Sequence, residues 1–566
     1  MTQEKTALDA YPENRPFWQA ADQNRLLLKR CQDCRQFHFY PRVRCPFCMS
    51  DRTEWVESSG RGTLYSFTIA RKAPAPTAPA VIELEEGVRL TSVVLDADVH
   101  ALAIGDPVET YFRHSAEGAE LAFTTPAAQR ARAYAKQATE RAAQIPGVAP
   151  CPPGEIGSGA IIGAGTMGVG ITIAMASAGL GVTLVERDAA ALDRGFARVR
   201  AEFQSRVQRG RITGAQADER LALVTASTDL AAIGAADIVV EAVWEQLALK
   251  REVFGAIDRH AKPGALLGTN TSTLDINEIA AATSRPQDVI GLHFFTPAHV
   301  MKLVEVVRGR HTSDSAIGKA LGLARHLGKA PVLVEVCPGF VGNRMFRRRE
   351  AEARQLALEG ATPAQVDAVL REFGFPMGTF ELADLTSGVE LDWRRRQETG
   401  EKDWLIDRMV EAGRVGQKAG KGYYRYEAAS RKPLPDPAVI ALLEEGSRAA
   451  GITRRRVADE EIRARVLGAL VNEGAKLLDQ GVVASAADID AVWLNGYGWP
   501  SYRGGPMYYA DEVGLARIRD QLLTLAAGQG ERFTPAPLLA SLANKGGRFQ
   551  DLPSRTGRAA AFVPRP

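Results

Sequence analysis

Apolar and polar residues alternate with a period of two in Gly60-Arg-Gly-Thr-Leu-Tyr-Ser-Phe-Thr68, in Val81-Ile-Glu-Leu-Glu-Glu-Gly-Val-Arg-Leu-Thr-Ser-Val-Val-Leu95 and in Gly105-Asp-Pro-Val-Glu-Thr-Tyr-Phe112. Short strands at such close spacing predict a small barrel of the OB type. Behind Pro126 the run Thr125 to Ala143 is rich in Ala, Arg and Gln, which predicts a short helix, with a docking element as the alternative. Ile145-Pro-Gly-Val-Ala-Pro-Cys-Pro-Pro-Gly154 then reads as a stiff linker. The pattern changes at Ile161-Ile-Gly163, where a strand runs into a helix of small residues, Val169 to Gly179. Strands at Gly181 to Glu186, Asp237 to Glu241 and Ala265 to Ser272 continue the alternation of a doubly wound α/β sheet. The C-terminal part repeats itself. Gly360-Ala-Thr-Pro-Ala-Gln-Val-Asp367-Ala-Val with Gly374-Phe-Pro matches Gly481-Val-Val-Ala-Ser-Ala-Ala-Asp-Ile-Asp490-Ala-Val with Gly498-Trp-Pro, and Asp367 and Asp490 stand 123 positions apart. Two helical domains of one type are expected.

Chemistry enters where this pattern is broken by glycines and charges. In Gly163-Ala-Gly165-Thr-Met-Gly168, Gly163 suits a tight turn, Gly165 lets backbone N–H groups approach a pyrophosphate, and Gly168 lets the helix sit on the strand. Glu186 closes the second strand, where a carboxylate binds ribose hydroxyls; this fits NAD, with Arg187 beside it keeping NADP open. Downstream, His293-Phe-Phe-Thr296-Pro-Ala-His-Val-Met-Lys-Leu-Val-Glu305 sets an imidazole and a carboxylate twelve residues apart in an apolar run. A Glu that accepts from one ring nitrogen leaves the other free to take a proton, as the oxidation of an alcohol requires.

Four of the six cysteines form a second pattern, Cys31-Gln-Asp-Cys34 and Cys45-Pro-Phe-Cys48 with ten residues between. Two such knuckles can present four thiolates to one tetrahedral Zn²⁺, and a closed set of four has no open position, so a metal there is structural. Cys151 and Cys337 have no such partners and read as loop and core residues.

With these motifs in place, residues 156 to 426 closely resemble the L-3-hydroxyacyl-CoA dehydrogenase family of fatty-acid β-oxidation. The resemblance is carried by the glycine loop, Glu186, Val240-Glu241-Ala-Val-Trp-Glu245 with Lys250, the Asn270-Thr-Ser272 turn, His293 to Glu305, Pro338-Gly-Phe-Val-Gly-Asn343-Arg and Phe375-Pro-Met-Gly-Thr-Phe-Glu-Leu-Ala-Asp384. It implies that His293 is the catalytic base and Glu305 its orienting partner, that Ser272 and Asn343 bond the reacting oxygen, and that Gly163, Gly165, Met167, Gly168, Glu186, Glu241, Glu245, Lys250, Ser272 and Thr296 belong to the NAD site. Thr296 stands where the family has Asn, and Gly342 where it has an apolar branched residue, which implies altered affinity or substrate choice. Trp499-Pro-Ser-Tyr-Arg-Gly-Gly-Pro-Met507 in the second helical copy is similar to multifunctional β-oxidation enzymes. Residues 11 to 124, through the four cysteines, Pro41-Arg42, Pro46 and Gly60 to Ser66, resemble the zinc-ribbon and OB-fold proteins that accompany thiolases and related acyl-CoA enzymes.

The expected architecture is multidomain: zinc ribbon with a leading helix (11–59), OB-type barrel (60–124), helix and linker (125–155), Rossmann-type NAD-binding domain (156–337) and two all-α dehydrogenase C-terminal domains (338–430 and 455–560). The implied activity is NAD-dependent oxidation of (S)-3-hydroxyacyl-CoA to 3-oxoacyl-CoA beside a docked thiolase or other acyl-CoA condensing or cleaving enzyme. The alternatives are a non-catalytic acyl-CoA scaffold and an oxidoreductase of the same fold acting on a non-CoA hydroxy acid. A length of 566 residues accommodates several domains, and Lys plus Arg (70) barely exceed Asp plus Glu (67), so no nucleic-acid field is expected. Arg347-Arg-Arg349 and Arg454-Arg-Arg456 read as solvated helix faces, with CoA phosphates or a partner as the alternative contact. No apolar run is long enough to span a membrane. A polar start at Met1 to Tyr11 and an end at Arg565-Pro566 without a peroxisomal tripeptide lead to the expectation of a cytoplasmic, bacterial enzyme.

Overall fold

The computed structural model describes residues 12–71, 76–115, 118–152, 154–386, 388–427 and 430–554. Met1 to Tyr11, Pro153 of the expected linker, and 555–566, which includes the end of the second helical block and Arg565-Pro566, lie outside them. Two compact units result: one of the described residues up to Tyr134 together with Ala368–Gly378 and Pro500–Gly504, and one of the remainder.

In the first unit a helix, Arg15–Ala21, leads into a ribbon sheet in which β1 (Leu27–Cys31) lies between β2 (Phe37–His38) and β3 (Thr53–Glu57). The five strands β4 (Arg61–Phe67), β5 (Ala78–Leu84), β6 (Arg89–Val94), β7 (Pro107–Ser115) and β8 (Gly118–Thr124) close into a barrel in the order β4-β5-β6-β8-β7. The alternation read from the sequence becomes inside and outside: Leu64, Ile82, Leu90 and Phe123 are buried. Phe17 of the helix and Leu28 of the ribbon belong to the same core as these barrel residues. Ribbon and barrel, read as two segments of sequence, are therefore one folding body. The first unit also takes in one segment from each helical copy. Arg503 lies 3.0 Å from Asp98, and Glu372 lies 2.9 Å from His100.

The second unit is built on an eight-stranded sheet ordered β11-β10-β9-β12-β13-β14-β15-β16, from β9 (Ser158–Ile162), β10 (Gly181–Val185), β11 (Val224–Ser227), β12 (Ile238–Glu241), β13 (Leu266–Thr269), β14 (Val289–Phe294), β15 (Leu303–Arg308) and β16 (Ala330–Glu335). Pairing is parallel except between β14 and β15. Every residue of β12, β13 and β14 is buried, as expected where helices cover both faces, so these strands show apolar runs and no alternation. The stretch read as a stiff linker is not free. Ile145, Val148 and Cys151 pack on the sheet's core, and Cys151 N–H donates to the Gly318 carbonyl at 3.0 Å, because this apolar segment finds the side of the helix Asp314–His326.

In the helical part, each copy buries two aspartates that accept from consecutive backbone N–H groups. Asp367 takes Phe380 and Glu381, and Asp490 takes Met507 and Tyr508. Asp384 takes Tyr423 and Tyr424, and Asp511 takes Phe549 and Gln550. The copies pack through the helices Gly342–Glu359 and Asp459–Asp479. Between these, the fully buried Arg465 holds Glu352 at 2.6 Å and Glu359 at 2.5 Å. The arginine runs divide: Arg455 and Arg456 are exposed, as expected of a solvated face, whereas Arg349 and Arg454 are held by the fold. Arg349 is buried and donates to Thr379 Oγ1 at 3.0 Å, and Arg454 donates to the Ala357 and Leu358 carbonyls at a helix end, where orphan acceptors need donors. No described helix is long and apolar enough to cross a membrane.

Candidate active site and metal centre

The glycine loop joins β9 to the helix Thr166–Ser177. Gly163 has φ +105°, and a Cβ on it would lie 2.7 Å from the Ala242 carbonyl oxygen, so both the turn and the approach of β12 require glycine. Gly165 faces open space, and no side chain caps the helix N-terminus behind it, which leaves its N–H groups to an anion. Gly168 packs against the Gly163 carbonyl. Glu186 points back at this loop and accepts from Ala164 N–H at 3.1 Å. These features fit the pyrophosphate and ribose of a dinucleotide.

Further along the strand ends the sequence-predicted residues divide. Glu241 and Lys250 are wholly buried, 2.7 Å apart, and Glu241 also accepts from Val243 N–H and Thr269 Oγ1; neither presents a surface to a cofactor. Lys250 also reaches Glu245, at 3.5 Å. Glu245 gathers the turn after β13, accepting from Thr271 Oγ1 at 2.6 Å, Ser272 N–H at 2.7 Å, Ser272 Oγ at 3.2 Å and Thr273 N–H at 3.1 Å. Burial raises its pKa, but the Lys250 charge and these donors outweigh that and hold the carboxyl below the usual range. Thr296 Oγ1 lies 3.0 Å from Met167 Sδ, bringing two expected cofactor residues together.

His293 and Glu305 are direct cross-strand partners on β14 and β15. Side chains so paired share a face, which turns a separation of twelve residues into contact. His293 Nδ1 and Glu305 Oε2 are 2.7 Å apart, both buried. The other carboxylate oxygen accepts from Val341 and Gly342 N–H at 3.1 and 3.0 Å, at the start of the helix Gly342–Glu359. The rings of Phe295 and Phe340, centred 4.4 and 5.6 Å from the imidazole, flank it. Asn343 follows one residue after this carboxylate contact. Its Oδ1 accepts from the Tyr497 hydroxyl at 2.9 Å. Ser272 Oγ is turned to Glu245 and not to the imidazole. Two residues had not been picked as site residues from the sequence. Asn270 Oδ1 holds Phe294 N–H at 2.9 Å beside the histidine, and Tyr497 arrives from the second helical copy. Asn270 lay inside a motif already noted; the signal for Tyr497 was the unexplained glycine at 342.

The four cysteine sulfurs Cys31, Cys34, Cys45 and Cys48 lie within 4.8 Å of one another, with two pairs at 3.6 Å. A tetrahedron with Zn–S bonds of about 2.3 Å has S···S edges of about 3.8 Å, so the cage has the size of a zinc site. The residue after each knuckle, Arg35 and Met49, is left-handed at φ 61° and 63°, showing the same turn twice.

Residues 158–337 match the family model of the 3-hydroxyacyl-CoA dehydrogenase NAD binding domain. The model of the 3-hydroxyacyl-CoA dehydrogenase C-terminal domain matches twice, at 339–426 and 462–552. Residues 18–54 match the ChsH2 rubredoxin-like zinc ribbon domain, and 55–113 the ChsH2 C-terminal OB-fold domain. The peroxisomal bifunctional enzyme of Danio rerio is 40% identical over 415 residues, covering 70% of this chain and 57% of the relative. That of Homo sapiens is 40% identical over 339 residues, covering 56% and 46%. The chain thus spans about half the length of these curated relatives. Among solved structures, 3-hydroxybutyryl-CoA dehydrogenase from Escherichia coli K12 aligns at 30% identity and TM-score 0.60, over 69% of this chain and 99% of its own. The dehydrogenase part of multifunctional enzyme 1 from C. elegans aligns at 29% and 0.55, over 72% and 96%. The cytoplasmic location expected from the sequence is corrected by the first group, which are peroxisomal by name. That expectation rested on sorting segments not seen at the chain ends, and such an absence specifies no compartment.

Proposed function

Since the chain belongs to the 3-hydroxyacyl-CoA dehydrogenase family, we propose that it catalyses NAD-dependent oxidation of (S)-3-hydroxyacyl-CoA to 3-oxoacyl-CoA. The observation that carries this reading is the His293 Nδ1 to Glu305 contact of 2.7 Å, three residues before Thr296, which meets Met167 of the uncapped glycine-loop helix. With Nδ1 engaged, His293 Nε2 is the nitrogen that removes the hydroxyl proton, and a base so placed is worth roughly 100- to 10,000-fold in rate. Glu305, which accepts from two backbone N–H groups, stabilises the imidazolium that forms. Asn343, held through its Oδ1, offers its Nδ2 hydrogens to the reacting oxygen, and Ser272 joins it on leaving Glu245. NAD, when bound, supplies the acceptor for the hydride that leaves the same carbon. Formation of NADH over a panel of 3-hydroxyacyl-CoAs, with the free hydroxy acids alongside, tests the proposal; reaction of free acids alone, or of nothing in the panel, refutes it.

The ribbon holds one structural zinc on Cys31, Cys34, Cys45 and Cys48 in this reading, supported by the size and donor set of the cage. The ribbon and barrel dock a thiolase or related acyl-CoA enzyme so that the 3-oxoacyl-CoA is cleaved near where it forms. The support is the match of this segment to ChsH2 ribbon and OB domains and the absence from it of any residue of the dehydrogenase constellation. Capture of a thiolase by the full chain supports docking; equal capture by a chain with a disrupted ribbon counts against it.

A further inference from the structure

Gly342 departs from the apolar branched residue that the family resemblance leads one to expect, and the structure gives the reason. A Cβ on Gly342 would stand 2.6 Å from the Tyr497 hydroxyl and 2.8 Å from its Cζ. The glycine is the gap through which a tyrosine of the second helical copy enters the site of the first. Tyr497 ends the helix Ala486–Gly496, which packs on β15 and β16, and β15 carries Glu305. Its ring is stacked on Trp493 at 4.8 Å, meets Phe295 edge-on at 5.5 Å and lies 5.6 Å from Phe346. Phe295 in turn lies 4.4 Å from the His293 ring. So wedged, the phenol makes one side-chain hydrogen bond among the described residues, to Asn343 Oδ1 at 2.9 Å.

We propose that Tyr497 is a positioning residue for the dehydrogenase reaction: its hydroxyl, 2.9 Å from Oδ1, holds the Asn343 side chain where Nδ2 reaches the reacting oxygen. This rests on the function proposed above. An amide is nearly symmetric in shape, and turned over it would present an acceptor to an oxygen that gains negative charge as its proton leaves. The growing charge on that oxygen selects the Nδ2 side, and the Tyr497 hydroxyl, which can donate or accept, then pins the amide by donating to Oδ1. Burial pushes the Tyr497 phenol well above its ordinary pKa, and the nearby Glu305 charge adds to this, so the hydroxyl remains a donor throughout the working pH range. Gly342 contributes twice, once by leaving room for the ring and once by donating its N–H to Glu305.

The test is a double-mutant cycle on the full chain, with kcat and KM measured for the wild type, Tyr497→Phe, Asn343→Ala and the double variant on one active 3-hydroxyacyl-CoA, and melting temperatures measured alongside. Phe keeps the wedge and removes the hydroxyl. Tyr497→Phe is expected to lower kcat by about tenfold, the scale of one hydrogen bond, with KM changed less than about threefold. In the Asn343→Ala background the same change is expected to cost nothing further, which a packing defect would not reproduce. A Tyr497→Phe kcat within twofold of an active wild type overturns the inference and leaves the proposed function standing. So does an equal loss in both backgrounds. A wild type inactive on every acyl-CoA refutes the proposed function and this inference with it.

Discussion

Glu305→Gln is the sharpest perturbation of the proposed mechanism, because the surroundings of that carboxylate are entirely donors. One oxygen takes His293 Nδ1 at 2.7 Å, and the other takes Val341 and Gly342 N–H at 3.1 and 3.0 Å, in a side chain with no solvent exposure. When His293 is protonated in the transition state, the two charge centres are about 4 Å apart and interact by about 4 kcal/mol at an effective dielectric constant of about 20. Losing that term slows kcat about 1000-fold, at about 1.4 kcal/mol per factor of ten. Glutamine can turn its oxygen to the Val341 and Gly342 N–H groups and its NH₂ to Nδ1, but this moves the imidazole proton to Nε2 and removes the base. Folding stability therefore falls only by about 1 kcal/mol, the difference between charge-assisted and neutral hydrogen bonds. Steady-state NADH formation at saturating substrate and urea denaturation measure the two effects. A kcat within tenfold of wild type in a folded variant would refute the role given to the charge.

His293→Gln retains a hydrogen-bonding group but no base, so kcat is expected to fall at least 100-fold while NAD binding, followed by cofactor titration, stays near wild type. The purified chain should hold about one zinc by metal analysis. Cys31→Ser with Cys45→Ser should melt ribbon and barrel together, because Phe17, Leu28, Leu64 and Phe123 form one core; a barrel signal that survives intact in circular dichroism would contradict this. Arg465→Met leaves Glu352 and Glu359 without their buried partner and is expected to cost about 3–5 kcal/mol in urea denaturation, in spite of the similar volume. A loss below about 1 kcal/mol would show that Arg455 and Arg532 suffice.

By itself the amino-acid sequence determined what depends on local pattern and short-range spacing. The glycine loop before a helix of small residues, the two cysteine knuckles, the alternating strands of the barrel and the duplicated Asp367 and Asp490 segments were legible because each is specified by residues within a turn or a strand of one another. His293 and Glu305 were legible as a pair for a related reason: an antiparallel step between neighbouring strands joins them after twelve residues. Tertiary structure alone decided what depends on surfaces distant in the chain. It merged ribbon and barrel into one core and drew one segment from each helical copy into the first unit. It buried Arg349, which read as part of a solvated face, because the Thr379 hydroxyl that takes it lies thirty positions away in sequence. It buried Glu241 and Lys250 as a charge pair, with Lys250 also within 3.5 Å of Glu245. And it brought Tyr497 to Asn343 across 154 positions, a contact that no periodicity encodes, because only the packing of one helical copy against the other sets where that ring can go and which residue must be glycine to admit it.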